Sequence, residues 1–377
     1  MNKPGIQVMT NANSTSFIEP TIQFVIDRID RQRARQADFP HITKGGKWVY
    51  TEDGVWTGGF WTGLQWLAYS ETKDEKFLHE AERLTQRLLP RANDEVNHDL
   101  GFMFYPTAVY GWRATGKEEY RAAALRAAES LAKQFNKEAG FIPGWGFFGG
   151  QNWAGSVLID TLMNLPLLVW ATENGGSQDL LDVVTKHTET ALRNHLREDG
   201  SVYHVFVFDE KSGKPLRGDT YQGKSAESAW SRGQGWAVAG LSMLADMTGR
   251  AEYVSAAQRV AAFIESKLKD SPIPKWDYAA TGDDEPLDSS AGAISAYGLV
   301  RLARITKDSR YLQLASSILD ALSAQCLASS DAESILAHAT ADLPHGLGID
   351  ESTAYGDFYF LKALLALRDG TSGDVVS

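Results

Sequence analysis

The sequence lacks the features that mark secreted and membrane proteins. It has a single cysteine, Cys326, so no internal disulfide can form, which agrees with a reducing compartment. The first residues contain no apolar stretch long enough for a signal-peptide core, and no later segment approaches the length of a membrane span. We therefore expect a cytoplasmic protein that does not bind membranes.

Basic residues are also in the minority. The chain of 377 residues has 37 Lys and Arg against 48 Asp and Glu, for a formal net charge of -11. A surface that binds nucleic acid needs concentrated Lys and Arg to neutralise phosphates, so we expect no nucleic-acid partner. A small anionic substrate is still possible if a basic side chain lies locally in its pocket.

The signatures of metal and nucleotide sites are missing as well. The eight histidines are scattered, without a His-Glu-x-x-His or Cys-x-x-Cys motif, so no metal site is expected. Gly233-Gln234-Gly235 follows a predicted helix start and not a strand, which argues against dinucleotide binding. There is no Gly-x-Ser-x-Gly either. We expect a protein without a cofactor, whose chemistry depends on carboxyl groups.

What the sequence does contain is a repeated turn between helices. In each copy one helix ends, a polar turn follows, and an aromatic residue opens a second helix rich in alanine. The four clear copies are Thr72-Lys73-Asp74-Glu75-Lys76-Phe77, Thr115-Gly116-Lys117-Glu118-Glu119-Tyr120, Thr248-Gly249-Arg250-Ala251-Glu252-Tyr253 and Thr306-Lys307-Asp308-Ser309-Arg310-Tyr311, with a looser one from Thr172 to Leu180. A repeat of this kind is typical of a closed or stacked array of helical hairpins.

The helices on the two sides of this turn differ in character. Those after it, at about 74–90, 117–136, 178–197, 250–268 and 308–325, are amphipathic, as outer helices should be. Those before it, at about 57–71, 100–114, 156–173, 228–247 and 288–305, are apolar nearly all round. With one helix near 15–37 and another near 353–368, about twelve helices form six hairpins.

We therefore predict an all-α fold, an (α/α)6 barrel, as one domain over residues 1–377. Residues 1–14 and 370–377 are expected to be flexible. Short β excursions are predicted in the loops, at 201–208 and around 274–278.

Two aspartates in unlike surroundings are the main candidates for chemistry. Asp160 lies inside an apolar run, where a carboxylate must be neutralised, paired or hydrogen-bonded. It is therefore a candidate proton carrier, although an aspartate satisfied by backbone amides at a helix start would look the same. Asp99 lies where another inner helix begins. Most of the 11 tryptophans also fall at such junctions, where their flat faces could hold sugar rings.

These residues carry a resemblance to a known family. The motifs are Trp56-Thr57-x-Gly59-Phe60-Trp61, His98-Asp99-x-Gly101-Phe102, Ile159-Asp160-x-Leu162-x-Asn164-Leu165-Pro166, Tyr203-His204, Thr220-x-Gln222-Gly223 and Trp230-Ser231-Arg232-Gly233-Gln234-x-Trp236. In this order, from about residue 40 to the C-terminal helix, they resemble the unsaturated glucuronyl hydrolases of glycoside hydrolase family 88. The resemblance implies an (α/α)6 barrel that removes the 4,5-unsaturated uronic acid from the non-reducing end of lyase-generated oligosaccharides by hydrating the C4=C5 vinyl ether.

The resemblance also implies roles for individual residues. Asp160 would deliver the proton, and Asp99 would stay ionised and hold the sugar hydroxyls, with a nucleophilic role left open. The residues that would contact substrate are His204, Thr220, Gln222 and Arg232, with Trp56, Trp145 and Trp236 as aromatic walls. Arg232 could instead be a structural arginine at a helix start, and His204 a structural loop histidine.

Some features leave the leaving sugar open. Gly58, Tyr221 and Ala226 differ from the residues usual in the family, and residues 346–360 contain no Lys or Arg, which favours an unsulfated substrate. An unsaturated galacturonyl-rhamnose hydrolase of pectin breakdown is an alternative, as is a non-hydrolytic (α/α)6 sugar-binding protein or epimerase. We expect a monomer or weak homo-oligomer.

Overall fold

A computed structural model describes residues 15–33, 38–144 and 154–375. The predicted flexible segment 1–14 and Trp145 lie outside the described residues. The outer helices are α1 (Ile18–Arg33), α3 (Glu75–Leu88), α6 (Glu118–Lys133), α8 (Asp179–Asn194), α10 (Ala251–Lys267) and α12 (Ser309–Gln325). The inner helices are α2 (Gly58–Thr72), α4 and α5 (Leu100–Phe104 and Tyr110–Thr115), α7 (Pro166–Glu173), α9 (Ser231–Thr248), α11 (Ser289–Thr306) and α13 (Ala354–Asp369).

The inner helices form a closed ring. α2 packs on α4 and α5, α4 contacts α7, α7 packs on α9, α9 on α11, and α11 on α13, which returns to α2. Each outer helix follows or precedes its inner partner in the chain. This arrangement confirms the predicted (α/α)6 barrel of six hairpins, with the helix α4–α5 counted as one.

The repeated turn has a common local structure. The threonine that ends the inner helix donates its hydroxyl to the carbonyl four residues earlier, as Thr72 does to Ala68 and Thr306 to Leu302. The next residue takes the left-handed conformation that ends a helix. Glycine supplies it without strain at Gly116. An aspartate caps the following outer helix in two copies.

Close packing explains the apolar character of the inner ring. Every residue of α11 from Ser289 to Ala303 is buried, so this helix has no solvent face. Gly298 lets it approach α9, because a Cβ there would lie 2.7 Å from the backbone nitrogen of Ala239. The outer helices bury one face only, as their amphipathic pattern predicts.

Two inner helices are interrupted near their starts. The predicted helix over 156–173 begins instead as strand β3 (Ser156–Leu158) and a 3-10 turn (Ile159–Met163), and α7 starts only at Pro166, whose ring favours the first turn of a helix. A π-helical segment (Tyr105–Val109) containing Pro106, which has no N–H to donate, joins α4 to α5.

Small sheets lie in the loops at one end of the barrel. β3 pairs with β4 (Val205–Phe208), which pairs with β5 (Pro215–Asp219), so the predicted strand near 201–208 is present in part. The segment near 274–278 forms only isolated bridges. The hairpin of β1 (Phe39–Lys44) and β2 (Lys47–Thr51) was not predicted.

The C-terminal residues pack onto the barrel. In residues 370–375 the Val375 side chain is buried and the Asp374 side chain is 7% exposed. The flexibility of 370–377 stays a prediction. The Asp374 carboxylate lies 2.7 Å from Lys362 Nζ and accepts a hydrogen bond of 2.6 Å from the Tyr110 hydroxyl. None of the described helices has the length and apolar character that crossing a membrane requires.

Candidate active site

A pocket of about 190 Å³ opens where the inner helices begin. This volume suits a small ligand, since pockets for drug-sized molecules measure about 300–1,000 Å³. The residues that line it come from most of the inner helix starts and from three loops: His41, Ile42, Trp56, His98, Asp99, Leu158, Asp160, Tyr221, Gln222, Trp230, Arg232, Trp236, Ala341, Asp342, Leu347 and Tyr355.

Asp99 occupies the cap position before α4, but its side chain accepts no capping hydrogen bond and lines the pocket instead. Its backbone N–H is held by the Asn97 side chain at 2.9 Å. Asn164 donates from Nδ2 to Asp99 Oδ1 at 3.1 Å, while its own Oδ1 accepts from the backbone of Phe102 at 2.7 Å. Because Phe102 N–H fixes which end of the amide faces Asp99, the contact to the carboxyl is a donor, which suits a carboxylate.

Asp160 lies on the 3-10 turn that follows β3. The ladder between β3 and β4 continues into a hydrogen bond from Ile159 N to His204 O, at 2.9 Å, and this anchors the turn. Its neighbours Ile159 and Thr161 are buried, whereas the Asp160 side chain keeps 14% of its surface exposed toward the pocket. Asp160 Oδ1 is buried, and among the described residues it has no hydrogen-bond partner.

His98 lies between the two carboxyl groups. Its Nε2 is 3.5 Å from Asp99 Oδ1 and 3.7 Å from Asp160 Oδ1. Although burial opposes a charge on the ring, the two aspartates outweigh it and raise the pKa of His98 to about 9. Burial raises the pKa of Asp99 to about 6, against the opposing effect of the His98 charge. Asp99 therefore titrates beside a cation and close to a second carboxyl group.

Aromatic rings form one side of the pocket. Trp56 stacks on Tyr355 with ring centroids 5.3 Å apart and planes at 23°. Trp236 packs against Phe102 at 4.9 Å. Trp230 lines another part of the wall and has His204 behind it, with their centroids 4.2 Å apart. These flat faces are held rigidly by their neighbours, which prepares them to pack against a ring-shaped ligand.

Arg232 lies in the wall and is engaged by the protein itself. Its guanidinium is fully buried and donates to Asp288 Oδ2 at 2.5 Å and to the carbonyls of Thr340 and Ala341. The ring of Trp230 lies 4.5 Å from its charge. These are the contacts of a structural arginine, and they attach the 340–341 loop to α9.

Gln222 is the other link to that loop, because its Nε2 donates to Ala341 O at 2.8 Å. Beyond it, the rim closes where Tyr221 stacks on His345, with centroids 4.1 Å apart. His345 Nδ1 lies 2.8 Å from Asp342 Oδ1, and burial raises the pKa of Asp342. Two loops far apart in sequence therefore meet over one side of the pocket.

His204 and Thr220 lie behind the wall. His204 Nδ1 accepts from the backbone N–H groups of Tyr221 and Gln222 and lies 3.4 Å from Thr220 Oγ1. Burial lowers the pKa of His204 to about 3, so its ring is neutral. Thr220 Oγ1 accepts from Gly223 N at 2.8 Å. Both residues shape the loop that carries Gln222.

The structure thus brings most of the predicted residues into one pocket. Asp99, Asp160, Trp56, Gln222, Arg232 and Trp236 line it, His204 and Thr220 support it, and Trp145 lies outside the described residues. The sequence carries no signal for His41, Asp342 or Leu347, because His41 lies on the unpredicted strand β1 and the other two come from a loop with no recognisable pattern. Asp357 lies two residues after Tyr355, which lines the pocket. Its own side chain is buried and accepts hydrogen bonds from two backbone N–H groups.

One group of described residues is close enough to share a cation. The ligand-type atoms of His98, Asp99 and Asp160 all lie within 4.8 Å of one another. The raised pKa of His98 leaves its ring protonated at neutral pH, so Nε2 presents a proton and not a lone pair. The group is therefore arranged to hold and move protons.

Comparison with known proteins gives a consistent result. The family model described as Glycosyl Hydrolase Family 88 matches residues 25–359. The chain is 33% identical over 347 residues to an unsaturated glucuronyl hydrolase of Bacillus sp. (strain GL1), covering 89% of this chain and 92% of that protein. It is 31% identical over 341 residues to an unsaturated chondroitin disaccharide hydrolase of Streptococcus pyogenes serotype M1, covering 87% of this chain and 85% of the relative.

Solved structures agree. The crystal structure of the unsaturated glucuronyl hydrolase from Bacillus sp. GL1 matches with a TM-score of 0.90 and 31% identity, covering 95% of this chain and 99% of that one. A structure of an unsaturated glucuronyl hydrolase specific for heparin matches with a TM-score of 0.88 and 31% identity, covering 96% and 99%.

Proposed function

Because the chain belongs to glycoside hydrolase family 88, the family of the unsaturated glucuronyl hydrolases, we propose that its pocket hydrates a 4,5-unsaturated uronic acid at the non-reducing end of an oligosaccharide. The observation that carries this proposal is the Asp99–His98–Asp160 group at the base of a small pocket with aromatic walls.

The reaction needs one carboxyl group that first gives and then takes a proton. We assign this role to Asp160. Its carboxylic acid protonates C4 of the vinyl ether, and the positive charge that develops at C5 is shared with the ring oxygen. Water adds at C5 while the Asp160 carboxylate takes one of its protons, which restores the acid. The resulting hemiketal opens, and the bond to the leaving sugar breaks.

The contacts of Asp160 support that assignment. No residue in the described part of the chain donates a hydrogen bond to its Oδ1, and its side chain is 14% exposed, against 10% for Asp99. A carboxyl group that lines the pocket and keeps an oxygen free of described protein donors can face the reacting carbon atom directly. A second group beside Asp160 that can hold the proton would also serve the reaction. The Asp99 carboxyl is such a group, because its pKa is raised.

Asp99 is proposed to act in its ionised form during the proton transfer. The donor from Asn164 and the charge of His98 both favour the carboxylate. In this form it holds the sugar hydroxyls and stabilises the positive charge that develops on the ring. The short separation of the aspartates is also compatible with direct attack at the anomeric carbon, as in retaining glycosidases, and the two routes differ in where water enters.

The remaining predicted residues are proposed to bind substrate directly or through the loops. Trp56 and Trp236 present rings to the sugar. Gln222 and Arg232 hold the carbonyls of the 340–341 loop, so they fix the opposite wall. His204 and Thr220 fix the loop that carries Gln222. The involvement of Trp145 stays a prediction.

We further propose that the leaving sugar is unsulfated. The described lining of the pocket includes Ile42, Leu347 and Asp342, and its one arginine, Arg232, is paired with Asp288. A sulfate placed beside Asp342 would meet a carboxyl group and an apolar edge. Relatives named for chondroitin disaccharides or heparin show that the leaving sugar varies among similar proteins. The cytoplasmic location and the weak or absent self-association stay predictions.

The test is a panel of disaccharides made by polysaccharide lyases, with and without sulfate, together with matched saturated glucuronides. Loss of the ultraviolet absorbance of the conjugated double bond reports turnover of the unsaturated substrates, and release of the leaving sugar reports turnover of both kinds. We expect unsulfated unsaturated disaccharides to react fastest and saturated ones to react far more slowly, because they have no alkene to protonate. Equal rates on saturated and unsaturated substrates would contradict the proposal.

A further inference from the structure

The catalytic pair contains a third member whose role has not been assigned. Two carboxyl groups this close repel each other when both are ionised, and like charges raise the pKa of one of them strongly. His98 is the side chain that lies against both, at 3.5 Å from Asp99 and 3.7 Å from Asp160. Both distances lie within the range of an ion pair, so one ring serves both carboxyl groups.

The surroundings of His98 keep it charged. Its side chain is 3% exposed, and burial alone would remove the proton. Asp99 on the same segment and Asp160 on the facing 3-10 turn supply the compensating negative charge. The charged form of His187, on α8, would oppose this, but burial lowers the pKa of His187 to about 3 and leaves that ring neutral.

We propose that His98 is a positioning residue for the proton transfer: as a buried imidazolium between Asp99 and Asp160, it orients both carboxyl groups and limits how tightly the pair holds its shared proton. This inference rests on the proposed function of the two aspartates. In this proposal His98 does not contact the reacting carbon atoms of the substrate.

Charge balance explains why the reaction would need this cation. When the aspartates share one proton, the three groups together are neutral, and an anionic uronate can enter. When Asp160 has given its proton to C4, its new carboxylate lies 3.7 Å from a cation that is already present. Without the imidazolium the resting group would carry a net negative charge, which would repel the substrate and hold the acid proton more tightly.

The first experiment compares the pH dependence of kcat/KM for the wild type and His98→Gln on an unsulfated unsaturated disaccharide. An opposite charge at this range typically changes a carboxyl pKa by about one to three units. We therefore expect the alkaline limb, the fall of kcat/KM at high pH, to occur about one pH unit or more higher in the variant. KM should also be higher and kcat lower. An alkaline limb at the wild-type position would overturn the proposal, even if the rate fell.

His187→Gln is the matched control. His187 is also a fully buried histidine, and glutamine can still accept the hydrogen bond that its Nδ1 receives from Ile142 N at 3.0 Å. Because this ring is neutral and contacts neither aspartate in the described structure, we expect its replacement to leave the limb in place. A similar shift in both variants would show that the change reports general disturbance of the core, which would contradict a specific role for His98.

The second experiment does not require a folded His98 variant. In the substrate-free wild type with isotope-labelled histidine, nuclear magnetic resonance should show one ring that is still an imidazolium at about pH 8, since its pKa is raised to about 9. In Asp160→Asn that ring should lose its proton at lower pH, whereas the exposed His338 should not change. Neutral rings throughout at pH 7, or no response to Asp160→Asn, would overturn the proposal. Because no turnover is measured, this result stands apart from the outcome of the disaccharide panel.

Discussion

Replacement of Asp160 by asparagine removes the transferable proton and keeps the shape of the side chain. General acid catalysis is typically worth about 10² to 10⁴ in rate. At about 1.4 kcal/mol for each tenfold change, this corresponds to a barrier increase of about 3 to 5 kcal/mol. We therefore expect Asp160→Asn to lose at least about a hundredfold in kcat, measured by the decay of alkene absorbance.

The structure also predicts what should not change in this variant. Within the described residues Asp160 Oδ1 has no hydrogen-bond partner, and asparagine keeps the shape of the side chain, so the fold should be preserved, with thermal unfolding close to that of the wild type. Binding of the disaccharide, followed by tryptophan fluorescence, should be retained because the rings of Trp56 and Trp236 are untouched. Asp350→Asn, at an exposed carboxyl that contacts His338, is the matched control and should keep normal turnover. If Asp160→Asn kept more than about a tenth of the wild-type kcat, its assignment as the acid would be refuted.

Two further predictions concern pH and stability. Burial raises the pKa of Asp99 to about 6, and Asp99 is proposed to share a proton with Asp160, so that proton should be lost above this pH and kcat/KM should fall as pH rises from mildly acidic values. A profile that rises steadily into alkaline pH would contradict this. Lys362 and Arg301 lower the pKa of Asp374, so its stabilising contribution is present above the unfolded pKa of about 3.9 and is lost as pH falls. At neutral pH, Asp374→Asn should lower the free energy of unfolding by about 3–5 kcal/mol in urea titrations, because Lys362 would be left buried and unpaired. A loss below about 1 kcal/mol, or an equal loss in the exposed control Asp369→Asn, would argue against the buried ion pair.

The sequence predicted those parts of the fold that local patterns determine. The Thr-containing turn recurs with the same hydrogen bond at Thr72 and Thr306, so the pattern indicated the hairpins and their number. It could not show that the chain before Pro166 forms a strand, because Ser156–Leu158 becomes extended only by pairing with β4, about fifty residues later.

The candidate site likewise combines residues that local sequence patterns indicated with residues that only the fold brings together. Asp99 and Asp160 stood out because each is unusual in its own segment. The contacts of Arg232 could not be predicted, since Asp288 and the carbonyls of Thr340 and Ala341 reach it from distant loops. Asp342 was missed for the same reason, as only the fold brings its loop to the pocket.

The central claim is that water adds to C5 of the alkene and does not attack the anomeric carbon. It is tested most directly by turnover of an unsaturated disaccharide in ¹⁸O-labelled water, with the position of the label in the uronic acid product read by mass spectrometry and ¹³C nuclear magnetic resonance after short reaction times. Hydration by the Asp99–Asp160 pair predicts the label at C5 and none at C1 from direct displacement. Label introduced at C1 during turnover would contradict it, even if both aspartates proved essential.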